Sequence, residues 1–156
     1  MVVELPLVLV GSCNYCLGRL HSNLRKNSLR ILIVDDHEAI RKGVCAILSA
    51  RLDIEVCGEA ANGEEAITKT KELQPDLIIL DVTMPVLSGF DAAREIGKIS
   101  PQIPILMLSM HESKQLLEEA KRIGVKGYVT KTQAGETLLR AVDALLNDQI
   151  FYSEPA

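Results

Sequence analysis

From Arg30 onward, short apolar runs alternate with longer segments in which apolar residues recur at helical spacing. The runs Arg30 to Val34, Ile54 to Gly58, Leu77 to Leu80, Ile103 to Leu108 and Gly127 to Thr130 are brief, rich in branched side chains and bounded by polar or turn residues, which predicts strands. Runs this unbroken suit strands covered on both faces. Between them, residues 38–48, 63–73, 88–99, 113–123 and 134–146 predict amphipathic helices. The fourth shows its apolar face as Leu116, Leu117, Ala120 and Ile123, and Gly124 is placed to end it. Strand precedes helix in each of five pairs, so the pattern predicts a doubly wound α/β domain: a parallel sheet with right-handed crossovers and helices on both faces.

A length of 156 residues holds one such core and no second. Residues 30–148 are expected to form the domain, 1–29 a poorly ordered extension, and 149–156 a tail or the start of a linker. The hydrophobic share of 47% against 24% charged residues is that of a folded globular chain rather than a disordered one. With 21 acids against 17 bases the net charge is −4, which argues against nucleic acid as a partner of this chain.

Four cysteines are too few and too unevenly placed for a disulfide framework, and a reducing cytoplasm is the expected compartment. Cys45 and Cys57 fall in apolar runs and read as small core residues; Cys13 and Cys16 make a lone CxxC without a second pair at metal spacing. The opening MVVELPLVLVGSC is too short to span a bilayer and has Glu4 but no base before its apolar stretch. No membrane segment is expected; an exported or lipidated start with Cys13 as acceptor is the alternative.

Chemistry is expected outside the carboxyl ends of the strands in a sheet of this kind. Polar residues collect there: Asp35 and Asp36 after the first strand, Asp81 after the third, Ser109 after the fourth, Thr130 and Lys131 after the fifth. Singly, each is an ordinary turn or surface residue; their shared location is the signal. Three gathered carboxylates raise one another's pKa unless a cation joins them. Mg²⁺ fits, with Asp36 and Asp81 as direct ligands and Asp35 acting directly or through water. An aspartate can also accept a phosphoryl group whose charge is neutralised, and Lys131 and Ser109 can serve the other phosphoryl oxygens.

With these residues in view, residues 30–148 resemble a receiver domain of a two-component response regulator. The matching motifs are IVDDH (Ile33 to His37), LDVTMP (Leu80 to Pro85), LSMH (Leu108 to His111) and GYVTK (Gly127 to Lys131). The resemblance implies a flavodoxin-like (βα)5 fold with strand order 2-1-3-4-5. It implies Asp81 as phosphoacceptor for a sensor histidine kinase, and Asp35 and Asp36 as the Mg²⁺ pocket, with the backbone carbonyl of Thr83 as a further ligand. Ser109 and Lys131 would hold the phosphoryl group, Tyr128 would follow the Ser109 hydroxyl as the switch, and Thr83 and His111 would tune the phosphoryl lifetime. A homodimer on phosphorylation is possible within that reading. DDH, LSMH and the run AVDALLNDQIFYSEP are most similar to the NarL/FixJ-type subfamily, in which a helix-turn-helix domain serves transcription regulation; the eight residues after Asp148 are too few for one. Thr132 stands where many receivers carry proline, which leaves the isomer of the Lys131-Thr132 bond open.

Two other readings compete. A Mg²⁺-dependent phosphohydrolase of the haloacid-dehalogenase-like kind needs an acid two residues after its nucleophile, and Thr83 occupies that position. A receiver-like module that accepts no phosphate is opposed by the complete set Asp35, Asp36, Asp81, Ser109 and Lys131. The expectation is therefore a signalling phosphoacceptor, not an enzyme acting on outside substrates.

Overall fold

The computed structural model describes residues 28–153; Cys13, Cys16 and the leading segment lie outside the described residues. The elements run β1 (Leu29–Val34), α1 (Glu38–Leu48), β2 (Ile54–Ala60), α2 (Gly63–Leu73), β3 (Leu77–Asp81), α3 (Gly89–Ile99), β4 (Ile105–Ser109), α4 (Lys114–Arg122), β5 (Gly127–Thr130), α5 (Ala134–Leu146) and β6 (Phe151–Tyr152). Three helices start where a polar side chain can accept a free backbone N–H. Asn62 takes that of Glu65, Ser88 that of Asp91 and Ser113 that of Leu116. Gly124, just past the cap of α4, turns the chain away with a φ of 84° that suits a residue without Cβ; Gly124 N–H donates to Lys121 O and Val125 N–H to Ala120 O.

All six strands are parallel, in the order β2-β1-β3-β4-β5-β6. Successive residues of a strand point to opposite faces, so the unbroken apolar runs feed two cores. Leu32, Ile78, Leu80 and Met107 face one core with Ala66, Ala92, Ile96 and Leu117 from α2, α3 and α4. Ile31, Ile33, Leu77 and Ile79 face the other with Val44, Leu48, Leu138 and Val142 from α1 and α5. Each fully buried leucine or isoleucine contributes about 1.5–3 kcal/mol, so these faces fix the helix positions and with them the strand ends. Chain direction across the sheet reverses between β1 and β3, which opens a crevice beyond their carboxyl ends.

The sheet departs from the expected 2-1-3-4-5 order by one strand. Phe151 and Tyr152, expected in a tail, pair in parallel with Gly127 and Tyr128. Two residues are too short to show a period, and the register is set by β5 rather than by their own pattern. β1 begins at Leu29, one residue before the expected start of the domain. Cys45 and Cys57 are half-buried and pack against the two cores rather than lying within them. No described peptide bond is cis, so Lys131-Thr132 is trans. No helix among the described residues is long and apolar enough to cross a membrane.

Candidate functional site

Asp81 is the last residue of β3 and is 3% exposed, with Asp35, just beyond β1, at 2%. Lys131, just beyond β5, reaches between them: its Nζ lies 2.6 Å from Asp35 Oδ2 and 3.1 Å from Asp81 Oδ1. The ends of β1, β3 and β5 thus bring two buried carboxylates to one ammonium. Burial, and then the charge of Asp35, push the Asp81 carboxyl up to about 6 against the pull of Lys131. Burial pulls Lys131 down, but the Asp35 hydrogen bond and the Asp81 and Asp35 charges outweigh it and leave its pKa raised. Lys131 is also fixed through its backbone, its N–H donating to Ser109 O at 2.7 Å.

Asp35 is oriented from both sides. Its Oδ1 accepts the His37 backbone N–H at 2.9 Å, and its carbonyl accepts from the Arg41 guanidinium at 2.7 Å, while Arg41 Nε is paired with Glu59 at 2.8 Å. Asp36 is partly exposed, and its Oδ1 lies 3.0 Å from His37 Nδ1. Asp35, Asp36 and His37 can each present a ligand atom within 4.8 Å of the others. Beyond the approaches of Lys131 and His37, the buried oxygens Asp35 Oδ2 and Asp36 Oδ1 have no further hydrogen-bond partner. Buried carboxylate oxygens with acceptor capacity to spare, beside hard oxygen donors, fit a small divalent cation.

Asp36, Asp81, Thr83, Met110, His111 and Lys131 line an open cleft of about 460 Å³. Thr83 N–H points to Asp81 Oδ1 at 3.4 Å. Ser109 is buried, and its hydroxyl is engaged in the turn after β4: it donates to His111 O at 3.0 Å and accepts the His111 N–H at 3.1 Å. Tyr128 is wholly buried, with its hydroxyl 3.4 Å from the same His111 carbonyl; burial pushes its phenol up against a smaller pull from Ser109. Asp35, Asp81 and Lys131 therefore come together as the sequence led one to expect, whereas Ser109 and Tyr128 converge on His111. His37, Arg41 and Gly89 were not anticipated as parts of the site. A Cβ at Gly89 would lie 2.0 Å from Asp81 O, so only glycine lets α3 begin against the end of β3.

Residues 31–143 match the family model of the response regulator receiver domain, and the chain belongs to that family. Response regulator protein VraR of Staphylococcus aureus is 42% identical over 115 residues, which cover 74% of this chain and 55% of that protein. The chain spans about half the length of the curated relatives it matches. A LuxR-family two-component response regulator from Aurantimonas sp. SI85-9A1 superposes with a TM-score of 0.76 at 32% identity, covering 80% of this chain and 89% of that one. The isolated receiver domain of RcsB from Salmonella enterica serovar Typhimurium, solved in the presence of phosphomimetic BeF3−, gives 0.77 at 25% identity over 83% and 96%.

Proposed function

We propose that Asp81 accepts a phosphoryl group from a sensor histidine kinase, with Mg²⁺ in the acidic pocket, and that the charged domain alters the face built from α4, β5 and α5. The observation that carries this is the buried Asp81 carboxylate, open to the cleft and ion-paired to Lys131. Its pKa of about 6, raised by burial and by Asp35, still leaves it mostly ionised at neutral pH, the form that can attack phosphorus. An Asp81 oxygen attacks phosphorus, the bond from phosphorus to the donor's histidine nitrogen breaks, and that nitrogen keeps the electron pair. Asp36 and Asp81, with Asp35 directly or through water and the Thr83 carbonyl, would hold Mg²⁺, which would supply neutralisation of the phosphoryl charge. Lys131 follows the transferred group as a point charge, and Ser109 leaves the His111 turn to donate its hydroxyl to it. Such a domain turns over no outside substrate. In a longer protein its output is expected to be transcription regulation, with a homodimer as the form that delivers it, in the cytoplasm. The functional unit is taken as residues 30–148, widened to include Leu29 and β6.

Intact-mass measurement after incubation with acetyl phosphate tests the proposal. One phosphoryl group is expected with Mg²⁺, none in EDTA, and none on Asp81→Asn; equal labelling of that variant would remove Asp81 from the role.

A further inference from the structure

After α5 the chain turns at Asp148, with φ 58°, and lays residues 149–153 along the outer edge of β5. The hold is distributed over three elements. Phe151 N–H donates to Lys126 O at 2.9 Å, Ser153 N–H to Tyr128 O at 2.8 Å, and Thr130 N–H to Ser153 Oγ at 3.3 Å. The Tyr152 hydroxyl donates to Val125 O at 2.8 Å. Lys121 of α4 lies 5.3 Å from the Tyr152 ring centre, and the Arg140 guanidinium of α5 5.8 Å from that of Phe151.

The opposite edge of β5 carries the proposed switch. Thr130 is in register with Ser109, and Tyr128 with Met107. The two β5 residues that grip Ser153 are therefore Tyr128 itself and the partner of Ser109. The Ser109 hydroxyl is presently tied to the His111 turn, so drawing it to a group on Asp81 breaks both of its bonds there. The Tyr128 hydroxyl meets the same His111 carbonyl, so a rearranged turn changes the seat of Tyr128, whose own backbone carbonyl accepts the Ser153 N–H on the other edge. The longest of the strap's hydrogen bonds is Thr130 N–H to Ser153 Oγ, at 3.3 Å.

We infer that residues 149–153 form a strap whose grip on β5 reports the state of Asp81: closed in the form described, and loosened when Asp81 carries a phosphoryl group. This rests on the proposed phosphoacceptor role. Because coupling between two sites is reciprocal, weakening the strap should also favour the charged form.

Amide exchange of Phe151 and Ser153, followed by NMR on the full chain in Mg²⁺ with and without beryllofluoride, reads the strap directly. Faster exchange of both amides by about five-fold or more is expected on addition of beryllofluoride. Tyr152→Phe and Ser153→Ala, both remote from the cleft, are expected to tighten beryllofluoride binding by about three-fold. Resonance shifts at Asp81 and Lys131 with unchanged or slower exchange at the strap, or unchanged affinity in both variants, would overturn the inference and leave the phosphoacceptor role standing. No response to beryllofluoride at Asp81 would refute that role, and the strap's control with it.

Discussion

Asp81 is placed where a carboxylate is costly: out of water, beside Asp35, with one ammonium shared between the two. Its pKa in the folded chain, about 6, stands above the 3.8 of an unhindered aspartate, so the folded state binds its proton more tightly than the unfolded one. The stabilisation from that proton is complete below about pH 4 and is lost as pH rises through 6. Asp81→Asn removes the liability. At pH 7 in EDTA the variant is expected to be the more stable in urea unfolding, by on the order of 1 kcal/mol because the open cleft screens the charge. Its advantage should shrink towards pH 4, and a gap independent of pH would mean that something other than ionisation separates the two. The charged participants in this balance were legible in the sequence because each follows an apolar run: Asp35, Asp81 and Lys131. His37 and Arg41 were not, since periodicity places a residue on a helix but says nothing of which carbonyl or carboxylate its side chain meets.

Among the elements, α1, α2 and α5 begin and end where their apolar spacing predicted, because each buries a stripe against the sheet and the stripe is visible in the chain. The expected first residues of α3 and α4, Ser88 and Ser113, turn out to be caps with extended backbone. The misreading was larger at β6, where the stabilising partners are distant in sequence: Lys126, Tyr128 and Val125 for the backbone and the phenol, Lys121 and Arg140 for the rings. Gly89 was equally silent, since the need for glycine there comes from β3 and not from its own dihedral angles. Gly89→Ala drives a methyl group into the backbone of Asp81 and is expected to cost about 3 kcal/mol while displacing the acceptor. Gly97 of the same helix has nothing within 4 Å of the corresponding position, so Gly97→Ala should instead stabilise by about 0.5–1 kcal/mol. Urea midpoints of the two variants on either side of the parent would bear this out; similar midpoints would show that α3 shifts freely from β3.

For the molecule as a whole, two cores share one sheet, and the cleft lies at the edge where both end. A change at Asp81 has few ways to reach the surface through such packing. The β3 side leads to Gly89, which meets backbone and cannot yield without disturbing α3. The β4 and β5 side leads through the Ser109 and His111 turn to Tyr128, whose hydroxyl meets that turn, and on to α4 and the outer edge of the sheet. Helix α4 buries only Leu117 and Ala120 and is joined to α3 by Arg94 with Glu119, so little apolar contact resists its re-seating. The face of α4, β5 and α5 is therefore where a phosphoryl group is expected to change association, through different contacts in two states rather than through added charge. Sedimentation velocity over a concentration series should show self-association strengthened about ten-fold or more by Mg²⁺ and beryllofluoride. Asp81→Asn should abolish the gain, and a charge-reversing change on the face, Lys121→Glu, should reduce it without weakening beryllofluoride binding. Equal association in both states, with beryllofluoride demonstrably bound, would place the output of this domain on another surface.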